Sequence, residues 1–316
     1  MKVKKEYIIL AVVIVALAGY LVLKRSDRVH YDLPVPGKIE ANEISKVEIT
    51  RGGATTVLIK KGGAWYLSPQ SWRADPQKVA DMLAAIGGLK PTDLASEAKA
   101  YDRYQLDAAN KVSVRAYAGT VQKRGFDVGK AAPTSQHTFI RLAGNDNVYL
   151  AGGDLRRIFD IPPSGLRDLM VLSFTPSEIT GVSLEGEGRA MTLTRRDASP
   201  AKAQAKDSPL QVSWQNDRGE QVDKLTVDTL LAVLSKVYCE GYLDDAVRAT
   251  LAKPVLAFRL KGAQAYELFV YAKTGEKVPA LSSGSPSPFA LPGYKLEGLQ
   301  KSLEDILGKP SENSKR

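Results

Sequence analysis

The chain has 316 residues, of which 44% are hydrophobic and 25% are charged. This length is more than a single compact core usually uses, and the composition excludes a mostly disordered chain and a collagen-like chain. The net charge is +9, and residues 1–30 contain six basic and two acidic side chains. The remainder of the chain is therefore only mildly basic, so we predict no nucleic-acid partner.

The chain contains one cysteine, Cys239, and two histidines, His30 and His137. A single cysteine excludes an internal disulfide bond and a paired-thiol redox motif, and two histidines exclude most histidine-based metal sites. No nucleophile-elbow, phosphate-loop, dinucleotide-binding or metalloprotease motif occurs in the sequence. We therefore predict no catalytic residue, no cofactor and no metal site.

Seventeen residues near the N-terminus, Tyr7 to Leu23, form a run without a charged side chain. As a helix this run would be about 26 Å long, which is close to the thickness of a thin bilayer core. Two interpretations remain open: an uncleaved membrane anchor, or a signal peptide removed after the small residues Ala16-Leu17-Ala18. The anchor is favoured because the apolar run continues to Leu23 and ends at the charged pair Lys24-Arg25.

The apolar run also predicts where the protein is located. A short basic N-terminus stays on the cytoplasmic side of a membrane, so we expect a single-pass protein of the inner (cytoplasmic) membrane. It would contact the bilayer through residues 7–23, with the bulk of the chain in the periplasm. The predicted division of the chain is as follows: transmembrane anchor or signal peptide 1–24, linker 25–39, first repeat domain 40–173, second repeat domain 174–309 and polar tail 310–316.

The sequence contains an internal duplication. The alternating segment Glu43–Ile49 is matched 135 positions later by Glu178–Leu184, and Trp65 is matched by Trp214. The changed spacing is explained by one insertion, Ala198 to Pro209, whose Ala, Lys, Ser and Pro residues are typical of a solvated loop. Several matches in the same order predict two copies of one structural unit.

Each copy contains one predicted long helix. Asp75 and Asp223 occupy matched N-cap positions, and Asp75 is followed by Pro76, which suits the first helical position. Both segments then carry an apolar stripe at helical spacing. The stripe residues are Val79, Met82, Leu83 and Ile86 in the first copy, and Val227, Leu230, Leu231 and Leu234 in the second.

Alternating strands are predicted after each helix. At a spacing of 143 positions, Val112 is matched with Val255 and Phe126 with Phe269. Short terminal helices are predicted near residues 154–159 and 296–306, and residues 166–172 also have a helix-like pattern. The predicted fold class is α+β, with two tandem pseudo-repeats, each an antiparallel sheet with one long helix, behind an N-terminal transmembrane helix.

Positions at which the two copies differ are the candidates for a partner surface, because the shared positions are explained by a common core. Trp72 has no aromatic counterpart, and it is interpreted either as a surface contact or as a packed side chain. A Gly/Pro/Ser-rich stretch after residue 281 is interpreted either as an ordinary long loop or as an extended recognition segment. The candidate partner surface comprises Trp72, Ser285, Pro286, Pro288 and Phe289.

Several blocks of the first copy resemble a known family. These blocks are Trp65-Tyr66-Leu67-Ser68-Pro69, Ala74-Asp75, Tyr104-Gln105-Leu106-Asp107, Thr138-Phe139-Ile140-Arg141-Leu142 and Leu166-Arg167-Asp168. Together they resemble the bacterial domain of unknown function numbered 4340, over most of residues 40–184 and more weakly in the second copy. The resemblance implies a membrane-anchored extracytoplasmic protein, often encoded near permeases of the ATP-driven, gliding-motility-like transporter class.

Two functions are compatible with these patterns. The leading expectation is a non-enzymatic, membrane-anchored binding or scaffold protein, an accessory of the permease subunits of an ABC-type transporter. The alternative is an extracytoplasmic cell-envelope hydrolase that uses acidic residues in a cleft between the repeats, with paired carboxylates roughly 5–10 Å apart.

Overall fold

The computed structural model describes residues 10, 12–20, 32–133, 136–197 and 212–308. The chain divides into two compact units, Met1–Arg167 and Asp168–Arg316. Two predicted segments, the insertion Ala198 to Pro209 and the polar tail 310–316, lie outside the described residues.

Part of the N-terminal apolar run is described. Residues 12–20 are helical, and their large apolar side chains are exposed, from 48% for Val13 to 70% for Val15. Within the described residues, no helix combines the length and the apolar character needed to cross a membrane.

The first unit is built on a sheet of nine strands. Its strands are β1 (Lys46–Arg51), β2 (Ala54–Lys61), β3 (Ala64–Ser68), β4 (Trp72–Arg73), β5 (Pro91–Ser96), β6 (Val112–Ala118), β7 (Val121–Ala131), β8 (His137–Leu142) and β9 (Val148–Gly152). Their order is β4-β3-β2-β1-β6-β7-β8-β9-β5, and every neighbouring pair is antiparallel. The first hairpin turns at Gly52 and Gly53, which both have positive φ angles (52° and 82°). Glycine suits this turn because both central positions require the left-handed region.

One long helix, α1 (Pro76–Gly87), packs in the core of the first unit. The Asp75 carboxylate caps its N-terminus by accepting hydrogen bonds from the backbone N–H groups of Gln77 (2.9 Å) and Lys78 (3.1 Å). The predicted helix and its N-cap are therefore confirmed. The apolar stripe is also confirmed, since the buried residues of α1 are Val79, Met82, Leu83 and Ile86.

A short helix, α2 (Leu155–Phe159), completes the core of the first unit. The Asp154 side chain caps it by accepting from the backbone N–H of Arg157 at 3.1 Å. Phe159 packs edge to face against Phe126, with ring centroids 5.6 Å apart. The terminal helix predicted near residues 154–159 is confirmed.

The second unit contains its own nine-stranded sheet. Its strands are β11 (Gly181–Gly186), β12 (Arg189–Asp197), β13 (Val212–Asn216), β14 (Gln221–Val222), β16 (Gly241–Tyr242), β17 (Leu256–Lys261), β18 (Ala265–Val270), β19 (Val278–Ser282) and β20 (Ser285–Leu291). Their order is β14-β13-β12-β11-β17-β18-β19-β20-β16, again with antiparallel neighbours. Numbered within each sheet, both strand orders are 4-3-2-1-6-7-8-9-5.

Three helices accompany the second sheet: α3 (Lys224–Leu234), α4 (Val247–Thr250) and α5 (Gly293–Leu307). Asp223 caps α3 by accepting from the backbone N–H of Thr226 at 3.0 Å. Helices α3 and α5 contact each other, and α5 covers the helix predicted near residues 296–306. The predicted stripe of α3 is confirmed, since its buried residues are Val227, Leu230, Leu231 and Leu234.

The helix-like pattern predicted over residues 166–172 is wrong. Met170–Ser173 forms strand β10, which pairs with β15 (Lys236–Tyr238). The short apolar run at 169–172 is compatible with either a buried strand or a helix segment, and the available partner strand decides between them. The predicted α+β class is confirmed, because both sheets are antiparallel and only a few helices accompany them.

Candidate functional site

A cluster of charged side chains lies on the outer face of the sheet of the first unit. Successive side chains of a strand point to opposite faces, and in β6 Val112, Val114 and Ala116 are fully buried on the side of the core. Ser113 and Arg115 therefore point to the opposite face. Register brings them beside β7, where Ser113 pairs with Asp127 and Arg115 with Gly125.

The Asp127 cluster consists of Asp127 and its three donors, Ser113, Lys111 and Arg141. The Asp127 side chain is 8% exposed. It accepts hydrogen bonds from Ser113 Oγ at 2.6 Å, Lys111 Nζ at 3.0 Å and Arg141 Nη2 at 2.6 Å. Buried carboxylates are retained when such charge-assisted bonds replace water. The cluster thus links β7 and β8 to Lys111, the residue directly before β6.

The electrostatics of the cluster keep Asp127 ionised. Burial alone would raise the pKa of the Asp127 carboxyl, but the hydrogen bonds from its three donors outweigh burial and hold that pKa below its usual range. A general acid needs the opposite, a carboxyl whose pKa is raised towards neutrality. Asp127 is therefore suited to fixing the positions of two cations rather than to donating a proton.

A second polar network lies on the same face. Glu48 accepts from Lys46 Nζ at 2.9 Å and from the Tyr117 hydroxyl at 2.9 Å. The bond from Lys46 is the strongest influence on Glu48 and lowers the pKa of its carboxyl, which burial opposes. Burial, followed by the hydrogen bond to Glu48, raises the pKa of Tyr117. The Glu48 carboxylate thus binds Lys46 and Tyr117.

A buried cation fixes the C-terminal end of α1. The guanidinium of Arg124, which is 7% exposed, donates to the carbonyl oxygens of Ile86 (3.0 Å), Leu89 (3.3 Å) and Gly37. A cation at this end of a helix complements the helix dipole and satisfies carbonyls that have no partner within the helix. Burial lowers the pKa of Arg124. This arginine therefore has a structural role and is not available to a ligand.

Trp72, the first predicted partner residue, is only half-buried, in strand β4. One part of its ring packs against the core of the first unit. The Arg167 guanidinium lies over the ring, 4.0 Å from its centroid, in the geometry of a cation–π contact. Trp72 thus contributes to the unit itself, and its role at a partner surface stays a prediction.

The other predicted partner residues lie in β20, so the expectation of a long loop is wrong. This strand lies between β19 and β16 in the second sheet. Ser285, Pro288 and Phe289 are buried, and Phe289 is completely inaccessible, whereas Pro286 is exposed. Of these four residues, only Pro286 offers an accessible side chain to a partner.

Pro286 and Pro288 fit into β20 because their carbonyl oxygens accept hydrogen bonds. Proline has no N–H group to donate, but its carbonyl still accepts. The carbonyl of Pro288 accepts from the backbone N–H of Leu243 at 2.9 Å, and that of Pro286 accepts from Arg248 Nη2 at 2.5 Å. The segment is therefore an integral strand of the sheet.

The two matched tryptophans are core residues. Trp65 is 8% exposed in the first core, and Trp214 is 2% exposed in the second. Cys239 is buried in the second core, and His137 begins strand β8. Among the described residues, no group of three or more His, Cys, Asp or Glu side chains is arranged to hold a metal ion.

The sequence-based prediction did not identify the Asp127 cluster. A signal was present, because Ser113, Asp127 and Arg141 are polar side chains next to apolar residues in segments with a strand pattern. Their proximity depends on the register between β6, β7 and β8, in which Asp127 is opposite both Ser113 and Arg141. That register is a long-range property that the local pattern does not contain.

The fold and this site define an α+β protein with two antiparallel-sheet units and a polar, charged outer face on the first. A family model described as a domain of unknown function, DUF4340, matches residues 65–254. The match covers more than half of the chain, so the chain belongs to the DUF4340 family. Neither the curated proteins nor the solved structures contain a match to it.

Proposed function

We propose that this chain is a non-enzymatic binding or scaffold protein, anchored in the inner membrane and facing the periplasm. Its partners would be the permease subunits of an ABC-type transporter of the gliding-motility-like class. The membership in the DUF4340 family supports this context, since the resemblance implies anchored extracytoplasmic proteins encoded beside such permeases. A tether in the same bilayer raises the effective concentration of the two proteins, so that weak contacts suffice.

The observation that carries the proposal is the apolar run from Tyr7 to Leu23. It contains no charged residue, is preceded by Lys5 and Glu6, and is followed by Lys24 and Arg25. The helical residues 12–20 leave large apolar side chains 48–70% exposed. Such a contiguous exposed apolar surface is unfavourable in water and favourable in hydrocarbon.

We further propose that the extracytoplasmic part consists of two tandem pseudo-repeats. The matched segments of the sequence support this, as does the common strand order 4-3-2-1-6-7-8-9-5 of the two sheets. In both units an aspartate-capped helix follows the fourth strand of the sheet. Duplication would provide two related surfaces on one chain, which suits a scaffold.

We predict that the apolar run is retained in the mature protein. Intact-mass spectrometry of the protein purified from its native membrane should give the mass of the full chain, with or without the initiator methionine. The protein should stay in the membrane pellet after washing with high salt, because apolar insertion is not weakened by salt screening. A mature N-terminus at Gly19 would show instead that the segment is a cleaved signal peptide.

We predict that permease subunits co-purify with the full chain after mild crosslinking in membranes. A matched control replaces residues 7–23 with an unrelated single-pass transmembrane segment. Recovery of the permease should persist in this control, because the proposed contacts belong to the folded units and the tether only supplies proximity. Loss of recovery in the control, or absence of any permease from both preparations, would contradict the proposal.

A further inference from the structure

A groove of about 360 Å³ lies on the outer face of the first sheet, beside the Asp127 cluster. It is lined by Lys111 and Arg115, by Arg141 on β8, and by the turn that follows β8. Asp127 forms part of its wall and Asp146 lies in the turn. The lining is mostly polar, in contrast to the apolar pockets that hold most small molecules.

The charge of this groove is positive. Asp146 forms an ion pair with Lys99 at 2.5 Å. Counting Lys99, four cationic side chains therefore face two carboxylates, which leaves about two positive charges in excess at neutral pH.

The cations retain hydrogen-bond donors for a ligand. A lysine ammonium has three donors and a guanidinium has five. Lys111 and Arg141 each direct a bond to Asp127 Oδ2, at 3.0 Å and 2.6 Å, and this holds them in place. Their other donors are not used by Asp127, although the Arg141 guanidinium also lies over the Tyr101 ring, 4.6 Å from its centroid. The site is thus partly preorganised, which reduces the entropy lost when a ligand binds.

Arg115 has fewer bonding partners than Lys111 and Arg141. In the part of the chain that the structure describes, its guanidinium has neither a hydrogen-bond acceptor nor an ion-pair partner within bonding distance. Glu48 is opposite Arg115 in the register of β1 and β6, and the charge of Arg115 helps to lower the pKa of Glu48, but the Glu48 carboxylate hydrogen-bonds Lys46 and Tyr117 instead. A half-buried guanidinium without an acceptor favours the arrival of an oxyanion, since its planar fork matches the geometry of carboxylate and phosphate.

Gly125 provides the space next to this guanidinium. A Cβ atom at Gly125 would lie 2.8 Å from Gln122 Nε2, 3.0 Å from the Ala143 Cβ and 3.3 Å from Arg115 Nη1. Any larger residue would therefore crowd the side chains of Gln122, Ala143 and Arg115. The glycine leaves room for the Arg115 guanidinium beside the groove.

We infer that this groove binds the dianionic phosphate group of a phosphomonoester between Arg115, Arg141 and Lys111. Two excess positive charges match a phosphomonoester, which carries −1.5 to −2 charges at about pH 7, better than they match a carboxylate. The ligand is either a water-soluble phosphomonoester or a lipid with the same headgroup. The inference does not depend on the membrane tether or on the permease, so it can fail while the proposed function stands.

The test is isothermal titration calorimetry of the detergent-solubilised full chain with inorganic phosphate, at low ionic strength and about pH 7.5, above the second pKa of phosphate. We expect saturable binding, at least about tenfold tighter than that of acetate, which carries a single charge. Arg115→Gln should weaken phosphate binding by about tenfold or more, because it removes hydrogen bonds between charged groups. Arg115→Lys keeps the charge but not the fork, so an intermediate loss is expected.

The matched control is Arg218→Gln, which removes one exposed arginine in the second unit and should leave phosphate binding unchanged. Two further ligands separate the sources: competition by glycerol 3-phosphate indicates a soluble ligand, and tighter, Arg115-dependent competition by dioctanoyl phosphatidate indicates a lipid. The inference is overturned if phosphate does not bind saturably at millimolar concentration, if acetate binds equally well, if Arg115→Gln and Arg218→Gln have the same effect, or if neither phosphomonoester displaces phosphate.

Discussion

We expect Leu231→Ala to lower the free energy of unfolding of the second unit by about 2–5 kcal/mol. Leu231 is 2% exposed and lies in the core stripe of α3, which contacts α5. The substitution removes buried methyl groups and leaves a cavity in the close-packed second core, which the surrounding side chains fill only in part. Denaturant-dependent hydrogen exchange, followed by mass spectrometry in peptides from residues 212–308, measures the loss.

The control for this prediction lies on the same helix. Leu225 is 73% exposed in the first turn of α3, so Leu225→Ala should change the free energy of unfolding by no more than about 0.5 kcal/mol. The two substitutions are chemically identical and differ only in burial. Equal losses from both would show that α3 does not present the stripe of Leu231 to the core.

The helix stripes could be predicted because their determinants are local. An N-cap carboxylate, a proline at the first helical position and apolar residues at helical spacing all lie within about four turns of one another. Asp75 and Asp223 cap their helices through hydrogen bonds to residues two or three positions further on. No distant part of the chain was needed to place these elements.

The later strands show the limit of local patterns. The sequence-based match of Val112 with Val255 and of Phe126 with Phe269 is wrong by one residue in each strand. In the sheets, Val112 is opposite Arg51 and the residue in the corresponding place is Leu256, opposite Gly186. Val112 is completely buried, whereas Val255 is 37% exposed. Shifting a strand by one residue moves its side chains to the other face.

This error has a physical origin in the hairpins. The turn between β6 and β7 has two residues, Gly119 and Thr120, whereas the turn between β17 and β18 extends over Gly262–Gln264. Strand β7 also contains a register shift opposite Ala116 and Tyr117. The single spacing of 143 positions averages these differences, so it assigns the side chains of both strands to the wrong face of the sheet. Turn length and bulges set register, and neither was visible in the match of apolar residues.

Strand β20 was missed for a different reason. Prolines at 286 and 288 argue against a central strand, because each removes one ladder donor. Here their carbonyls accept from Arg248 and Leu243, so the strand is still anchored. These donors are about 40 positions away in the sequence, and the local composition could not reveal them.

The second large effect that we predict is at Asp127. Asp127→Ala should lower the free energy of unfolding of the first unit by about 2–4 kcal/mol, because it leaves Lys111 and Arg141 without their shared acceptor and next to each other. The range lies below that for a fully buried pair, since those two side chains are 25% and 23% exposed. The matched control is Asp146→Ala. Its ion pair with Lys99 is 61–68% exposed, so the loss should be no more than about 1 kcal/mol.

The dependence on pH gives an independent test of the same cluster. Because the folded-state pKa of Asp127 is lowered, its stabilisation is complete above the unfolded-state pKa of about 3.9 and is lost as the pH falls through the folded-state value. Asp127→Asn cannot ionise and therefore lacks this contribution at every pH. Hydrogen exchange in peptides of the first unit should show a difference between the native protein and Asp127→Asn that is large at about pH 6 and shrinks as the pH is lowered below about 4. A difference that stays constant over this range would mean that the Asp127 carboxylate stabilises the unit by its shape and neutral hydrogen bonds, and not by the charge that holds Lys111 and Arg141 on the outer face of the sheet.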